Sequence, residues 1–455
     1  MLTFRDERFP LAQGRVTRRD LLKVGMLGTS AFGLSGLTLP NLLRARSHAG
    51  AKRDTSIVWL WLQGGAPHIE TFDPKMEAPS EYRSMVGALP TTLPGVEFGG
   101  ELPRLASMAH RMAIVRSFRH TNPDHLGASH YMLTAEDAPF GIQHQTAPSF
   151  GSIAAKVRGV QHPQTHVPTF VRVSSTISFD FDDPMWLGPA YGPFDANGSN
   201  RQNLKPTVSS RRLTSRSHLL HGLDRLHRNV DQSGIMEDLD AYSQQAIDLV
   251  LGGSKRLFDA SREDPRISDR YGPGLGAQLL AARRLCEAGC GFVTLNYCYA
   301  PHSADTPFAW DMHLGPGQPK APPMLGQLQA IFPMFDHAIS TFIEDVHQRG
   351  LSEKILLVIT GDFGRTPKIN QYGGRDHWPD LSTLALVGGG LRMGQVVGTS
   401  SPRAEAPTSR PIEPKDLLAT ILHVLGIGPD LQFPDYAGRP RYVLPEGAKP
   451  IAELI

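Results

Sequence analysis

Six short apolar runs constrain this chain more than any other feature: "SIVWLWL" (56–62), "MAIVRSF" (112–118), "TFVRVSS" (169–175), "GFVTLNY" (291–297), "KILLVIT" (354–360) and "TLALVGG" (383–389). Most are continuous rather than alternating. A strand that is apolar at nearly every position is buried on both faces, as in a largely parallel sheet covered on each side. Segments of helical character lie between them, at 149–159, 237–253, 276–289, 324–350 and 414–426. The longest carries Leu328, Ile331, Phe335, Ala338, Ile339, Phe342 and Val346 near a 3.6-residue period, with Gly350 as its stop. Strands alternating with helices predict an α/β sandwich. Residues 176–235 break the pattern, being rich in Pro, Gly, Asn and Ser, and read as a long insertion or lid. No repeat and no second core are visible, so residues 50–455 form one domain.

With 455 residues, 40% of them hydrophobic and 20% charged, the chain has the make-up of an ordinary globular protein. Its formal charge is +2, yet residues 1–49 hold eight Lys/Arg against three acids. The remainder carries 38 basic (46 minus 8) and 41 acidic (44 minus 3) residues, so no basic surplus points to nucleic acid. The N-terminal excess has its own explanation. "TRRDLLKVGMLGTSAFGLSGLTLP" begins with Arg18-Arg19, runs through an apolar stretch shorter than the roughly 20 residues of a membrane span, and leads to the small residues of Ser47-His48-Ala49. Residues 1–49 are therefore expected to be a twin-arginine signal peptide. The twin-arginine translocase is the implied export partner, and the location is periplasmic or secreted. Cys286, Cys290 and Cys298 lack paired CxxC spacing and read as core filling.

In open α/β sheets ligands gather beyond the carboxyl ends of strands. After the first run comes "QGGAPHIETFDPK", with His68, Glu70 and Asp73 behind a Gly-Gly turn. After the second comes "RHTNPDHLGASH", after the fourth "CYAPHSADTPFAWDMHLG", and after the fifth "GDFGRTPKINQYGGRDHWPD". Each alone could be a surface turn. Four strand ends rich in carboxylate and imidazole are together what divalent metals need, and a metal can activate water or polarise an ester oxygen. In "RHTNPDH", Thr121 or Asn122 is the expected N-cap and Pro123 the first helical residue, an arrangement that offers N–H groups to an anion. His120, His125 and His130, five apart, do not share one helix face.

The blocks "LQGGAPHIETFDPK", "LGPAYGPF", "RYGPGLGAQLLAARRLCEAGCGFVTLN", "WDMHLG", "FDHAISTFIEDVHQRGL", "GDFGRTPKINQYGGRDHW" and "LALVGGGLRMGQVVG" resemble, in order over about residues 55–445, those of the DUF1501 family. That family of exported bacterial proteins belongs to the alkaline phosphatase/sulfatase-like superfamily. The resemblance implies a three-layer α/β/α sandwich with a largely parallel central sheet and a metal-dependent ester hydrolase. Superfamily members place an Asp at the end of the first strand, where this chain has Gln63 and offers Asp73 as substitute. Asp311 and His313 match an Asp and His a few residues apart. Asp362-Phe363 stands where an Asp-His pair is expected, with His377 as the replacement imidazole. No C/S-x-P-x-R motif precedes Thr134, which argues against self-activating sulfatase chemistry.

The resulting expectation is an exported hydrolase of small-molecule or polysaccharide sulfate or phosphate esters, using one or two divalent ions such as Zn, Mn or Ca. His68, Asp73, Asp311, His313, Asp362 and His377 are the expected ligands. Arg365 would clamp the anionic group, His125 or His120 would protonate the leaving group, and Thr121 or Ser129 would substitute for the nucleophile. The alternative is a non-catalytic protein on the same fold that binds an anionic polysaccharide.

Overall fold

The first apolar run forms strand β1 (Ser56–Leu62), whose seven residues are all buried. Its β-branched and aromatic side chains suit a pleated surface packed on both sides. Val58, Leu60 and Leu62 enter one apolar core and Ile57, Trp59 and Trp61 another, so alternate residues of one strand serve two layers. The computed structural model describes residues 54–173, 181–196, 212, 215, 256–298, 310–315 and 324–455. Residues 1–49, expected to be a signal peptide, the helix expected at 237–253 and most of the 176–235 insertion lie outside the described residues.

Among the described residues, eight strands make the main sheet. The others, numbered in chain order, are β2 (Ala113–Val115), β3 (Phe170–Arg172), β4 (Phe194–Asp195), β5 (Phe292–Asn296), β6 (Ile355–Gly361), β7 (Leu384–Gly388) and β8 (Gln395–Val397). Their spatial order is β8-β2-β7-β6-β1-β5-β3-β4. β1 lies between β6 and β5, parallel to both, with Leu62 opposite Gly361 and Trp61 opposite Asn296. The helices numbered here are α1 (His125–Thr134), α2 (Phe150–Arg158), α3 (Leu275–Glu287), α4 (Met324–Gln348) and α5 (Pro414–Leu425). α3 and α4 share the first core, while α2, α5 and Met132 and Leu133 of α1 share the second. This is a three-layer α/β/α sandwich. All seven periodic residues of α4 named from the sequence are buried in it.

Only β7 runs against the rest, antiparallel to both β6 and β2. An antiparallel neighbour can be reached from the same end of the sheet, whereas a parallel one needs a crossover. The segment between β6 and β7 therefore starts and finishes at the carboxyl end of β6, which keeps the whole polar loop 362–383 there. The insertion also departs from expectation where it is described. Phe181 and Leu187 are core residues and Phe194–Asp195 is the edge strand β4, so 181–196 belongs to the body rather than to a lid.

Candidate metal centre

Two glycines let three chain segments meet beyond β1. Gly64 and Gly65 have φ of +93° and +86°, a region that L side chains rarely adopt. A methyl group on Gly64 would fall 2.5 Å from the Asp311 nitrogen, and one on Gly65 2.6 Å from the Phe363 carbonyl oxygen. The Trp310 N–H donates to the Gln63 carbonyl at 2.8 Å, anchoring segment 310–315 to the strand end. From the other side the Arg375 N–H donates to the Met312 carbonyl at 3.1 Å. Within the loop, Gly364–Arg365 pairs antiparallel with His377–Trp378, placing His377 opposite Arg365.

Asp362, Asp311, His125, His313, His377 and Arg365 converge at this point. Asp362 is fully buried; its Oδ2 accepts from His125 Nδ1 at 2.6 Å, and its Oδ1 faces the Gly64 N–H at 3.4 Å. His125 Nε2 points to Asp311 Oδ2 at 3.5 Å. Asp311 Oδ1 receives His313 Nδ1 at 2.5 Å and Arg365 Nη2 at 2.7 Å. His377 Nδ1 donates to the Pro123 carbonyl at 2.9 Å, which leaves Nε2 as the nitrogen turned toward Asp311 Oδ1, 3.6 Å away. That separation is too long for a good hydrogen bond, and His377 Nε2 is buried without a hydrogen-bond partner. Phe363 lies beneath both imidazoles, its ring centre 4.9 Å from that of His125 and 4.4 Å from that of His377.

The charges are strongly coupled. Burial disfavours a protonated His125, but its hydrogen bonds and attraction to Asp311 and Asp362 outweigh burial and raise its pKa to about 9. Burial alone would raise Asp311. His125, His313, His377 and Arg365 reverse this and hold it far below the ordinary carboxylate range. One ligand atom from each of His125, Asp311 and His377 lies within 4.8 Å of the other two. These three half-buried residues form the candidate metal centre. Orphaned His377 Nε2 is the observation that most favours an ion, since a carbonyl fixes the opposite nitrogen as donor.

A family model described as "Protein of unknown function (DUF1501)" matches residues 54–455. The chain belongs to the DUF1501 family. Among solved structures, this DUF1501 protein is similar to the lipoteichoic acid synthase LtaP from Listeria monocytogenes, at 12% identity and a TM-score of 0.38, covering 83% of this chain and 74% of that one. It is also similar to the PsFucS1 sulfatase from Pseudoalteromonas sp., at 13% identity and TM-score 0.37, covering 86% and 70%. A third is the phosphonate monoester hydrolase SpPMH from Silicibacter pomeroyi, at 13% and 0.39, covering 87% and 76%. No curated protein matches.

Several residues of the DUF1501 chain stand elsewhere than the sequence suggested. His68 is buried with Nε2 on the Ala404 carbonyl at 3.1 Å, and burial pushes its pKa down to about 4. Asp73 is held by Lys75 and Arg116, each at 3.2 Å, and by the Ser400 hydroxyl. The chain turns into the short helix His68–Thr71 straight after the glycines, which carries both side chains off toward the 400–404 region. Thr121 is exposed and donates to Asp137 at 3.2 Å. His120 donates from Nε2 to the Asp362 carbonyl at 2.7 Å and accepts the Asn122 N–H on Nδ1 at 3.2 Å, so both nitrogens are engaged and it braces the loop rather than passing protons.

Three roles change as well. Arg365 is fully buried, with Nε on the Gly65 carbonyl, Nη1 on the Arg375 carbonyl and Nη2 on both the Gly64 carbonyl and Asp311. With four donor contacts inside the protein it fixes Asp311 and cannot clamp a substrate. Asp362, expected as a ligand, instead orients His125, and His125, expected as an acid, brings its Nε2 to the ligand set. The cap of α1 is Asp124, whose carboxylate accepts the Gly127 N–H at 3.0 Å, so the helix end expected to draw an anion already holds one. Ser129 is buried on the same helix. The Pro123 carbonyl that sets His377 was not foreseen, because a backbone acceptor leaves no mark in sequence.

Proposed function

We propose that this protein is an exported, metal-dependent hydrolase of sulfate or phosphate esters. The observation that carries this reading is the meeting of His125 Nε2, Asp311 and His377 Nε2 beyond β1 and β6, with each imidazole oriented from behind by Asp362 or by Pro123. Two imidazoles and one carboxylate suit zinc or manganese better than calcium, which prefers oxygen throughout. A divalent ion held there would supply the charge that polarises an ester oxygen and makes water nucleophilic at neutral pH.

The chain's own residues do the rest. Asp362 keeps a proton on His125 Nδ1, so that Nε2 is the ligand atom. Arg365 holds Asp311 in place and offsets its charge. His313, about two-fifths exposed and 5.1 Å from His377 between ring centres, is the rim group placed to protonate a departing oxygen. Water is the nucleophile, since Thr121 is committed to Asp137 and Ser129 is buried. A second reading, a binding protein for anionic polysaccharide, draws on Gln63: at the end of β1 its amide accepts from Asn296 at 2.6 Å where a carboxylate ligand was expected.

The test is to purify the exported protein, measure bound zinc, manganese and iron, and assay aryl sulfate and aryl phosphate esters beside His377→Ala and Asp311→Asn. Bound metal with turnover lost in both variants supports the hydrolase. Binding of a sulfated polysaccharide without turnover supports the second reading, and absence of metal with no difference between wild type and variants overturns the first. Export is checked separately: Arg18→Lys with Arg19→Lys should leave the protein in the cytoplasm.

A further inference from the structure

We infer that this centre holds a single divalent ion, and that the guanidinium of Arg365 occupies the place a second ion would need. The inference rests on the metal-binding reading above and concerns how these side chains limit it. Two-ion sites set their metals roughly 3.5–4 Å apart and join them through shared ligands. The shared ligand here would have to be Asp311, and its Oδ1 is already taken, by Arg365 Nη2 at 2.7 Å and His313 Nδ1 at 2.5 Å. Only Oδ2 remains on the side facing His125.

Asp362 offers no second set. Its Oδ2 is bound to His125 Nδ1, its Oδ1 faces the Gly64 N–H, its carbonyl accepts from His120, and the residue has no solvent exposure. The neighbouring position is Phe363, which packs carbon against both ligand imidazoles. Arg365 cannot swing away to admit an ion. The carbonyls of Gly64, Gly65 and Arg375 hold three of its other four N–H groups, and the two glycines that supply two of these carbonyls both have positive φ. A permanent positive charge fixed on the bridging oxygen by a fully buried guanidinium repels a second cation.

The experiment counts ions rather than turnover. Full-length wild-type protein is stripped with chelator, reloaded with Mn²⁺ at increasing excess, and examined by elemental analysis and electron paramagnetic resonance. One ion per chain at every excess, with the six-line spectrum of an isolated Mn²⁺, is the expected result. Two ions with the multiline spectrum of a coupled pair overturn this inference and leave the metal-binding reading standing. No bound ion overturns the reading itself. Arg365→Gln removes the fixed charge and should move the count from one toward two; a folded Arg365→Gln protein that still takes one ion overturns the role given to Arg365. Arg365→Lys, which keeps the charge, should stay at one, and a coupled pair there overturns the electrostatic argument even if the Gln variant fails to fold.

Discussion

Asp362 Oδ2 lies 2.6 Å from His125 Nδ1, joining residues 237 positions apart. A fully buried carboxylate that grips one nitrogen of an imidazole fixes its tautomer and, where the other nitrogen binds a metal, increases its basicity as a ligand. Asp362→Asn keeps the shape and removes the charge. Metal affinity should fall by roughly 10- to 100-fold, the usual effect of losing such a partner. Competition against a chromophoric chelator measures this directly. Unchanged affinity would mean that the Asp362 carboxylate has no part in orienting His125.

A second prediction concerns pH. In the metal-free protein His125 is raised from 6.5 to about 9, so it carries a proton throughout the neutral range. A metal ion must displace that proton, and apparent affinity should therefore climb about tenfold per pH unit up to about 9 and then level off. The sign for stability is opposite. Because the folded pKa exceeds the unfolded one, the stabilising effect of His125 in the metal-free protein is complete below about 6.5 and lost as pH rises through about 9. Chelator competition at several pH values, with thermal melts of the metal-free form, checks both slopes.

Much of this architecture is legible in sequence because burial on two faces leaves runs such as "SIVWLWL" and "KILLVIT" unbroken. Those runs locate strands, and strand ends locate loops. The antiparallel direction of β7 has no such trace, since an apolar run reads alike in either direction. Side-chain direction is likewise hidden. Glu70, Asp73 and His68 share one stretch with Gly64, yet Glu70 is buried against Arg375 at 3.0 Å, Asp73 pairs with Arg116, and only the glycines touch the centre. Residue type marked Arg365 as an anion binder, while the donors it spends on three carbonyls are visible only once the chain has folded.

Acid should unfold the protein through buried histidines outside the candidate metal centre, His68 and His120 foremost among them. Burial pushes both His68 and His120 down from 6.5 to about 4. Each is neutral when folded and protonates when unfolded, so its contribution is present above about 6.5 and is lost as pH falls toward 4. The shift corresponds to roughly 3 kcal/mol for each fully buried ring. Urea denaturation of metal-free protein between pH 7 and pH 4 should show that loss. His120→Gln, which keeps a donor for the Asp362 carbonyl but cannot take up a proton, should make the pH-dependent part smaller. An unchanged pH slope in that variant would show that His120 titrates normally.

Gly64 gives a way to separate backbone strain from damage to the centre. At φ +93° any side chain is strained, at a cost of about 1–3 kcal/mol, and a Cβ would also fall 2.5 Å from the Asp311 nitrogen and 2.8 Å from its Cβ. Backbone at that distance cannot give way by a rotamer change, so Gly64→Ala must push the segment carrying Asp311 and His313 off the end of β1. Gly87 serves as the control: its φ is +73°, and a methyl group there would meet nothing within 4 Å. Gly87→Ala should lower the melting temperature and leave metal affinity as in wild type, since it adds strain without contact. Gly64→Ala should lower both, because Asp311 can no longer sit where His125 and His377 face it. Equal metal affinity in the two variants, after correction for folded fraction, would detach Asp311 from the centre.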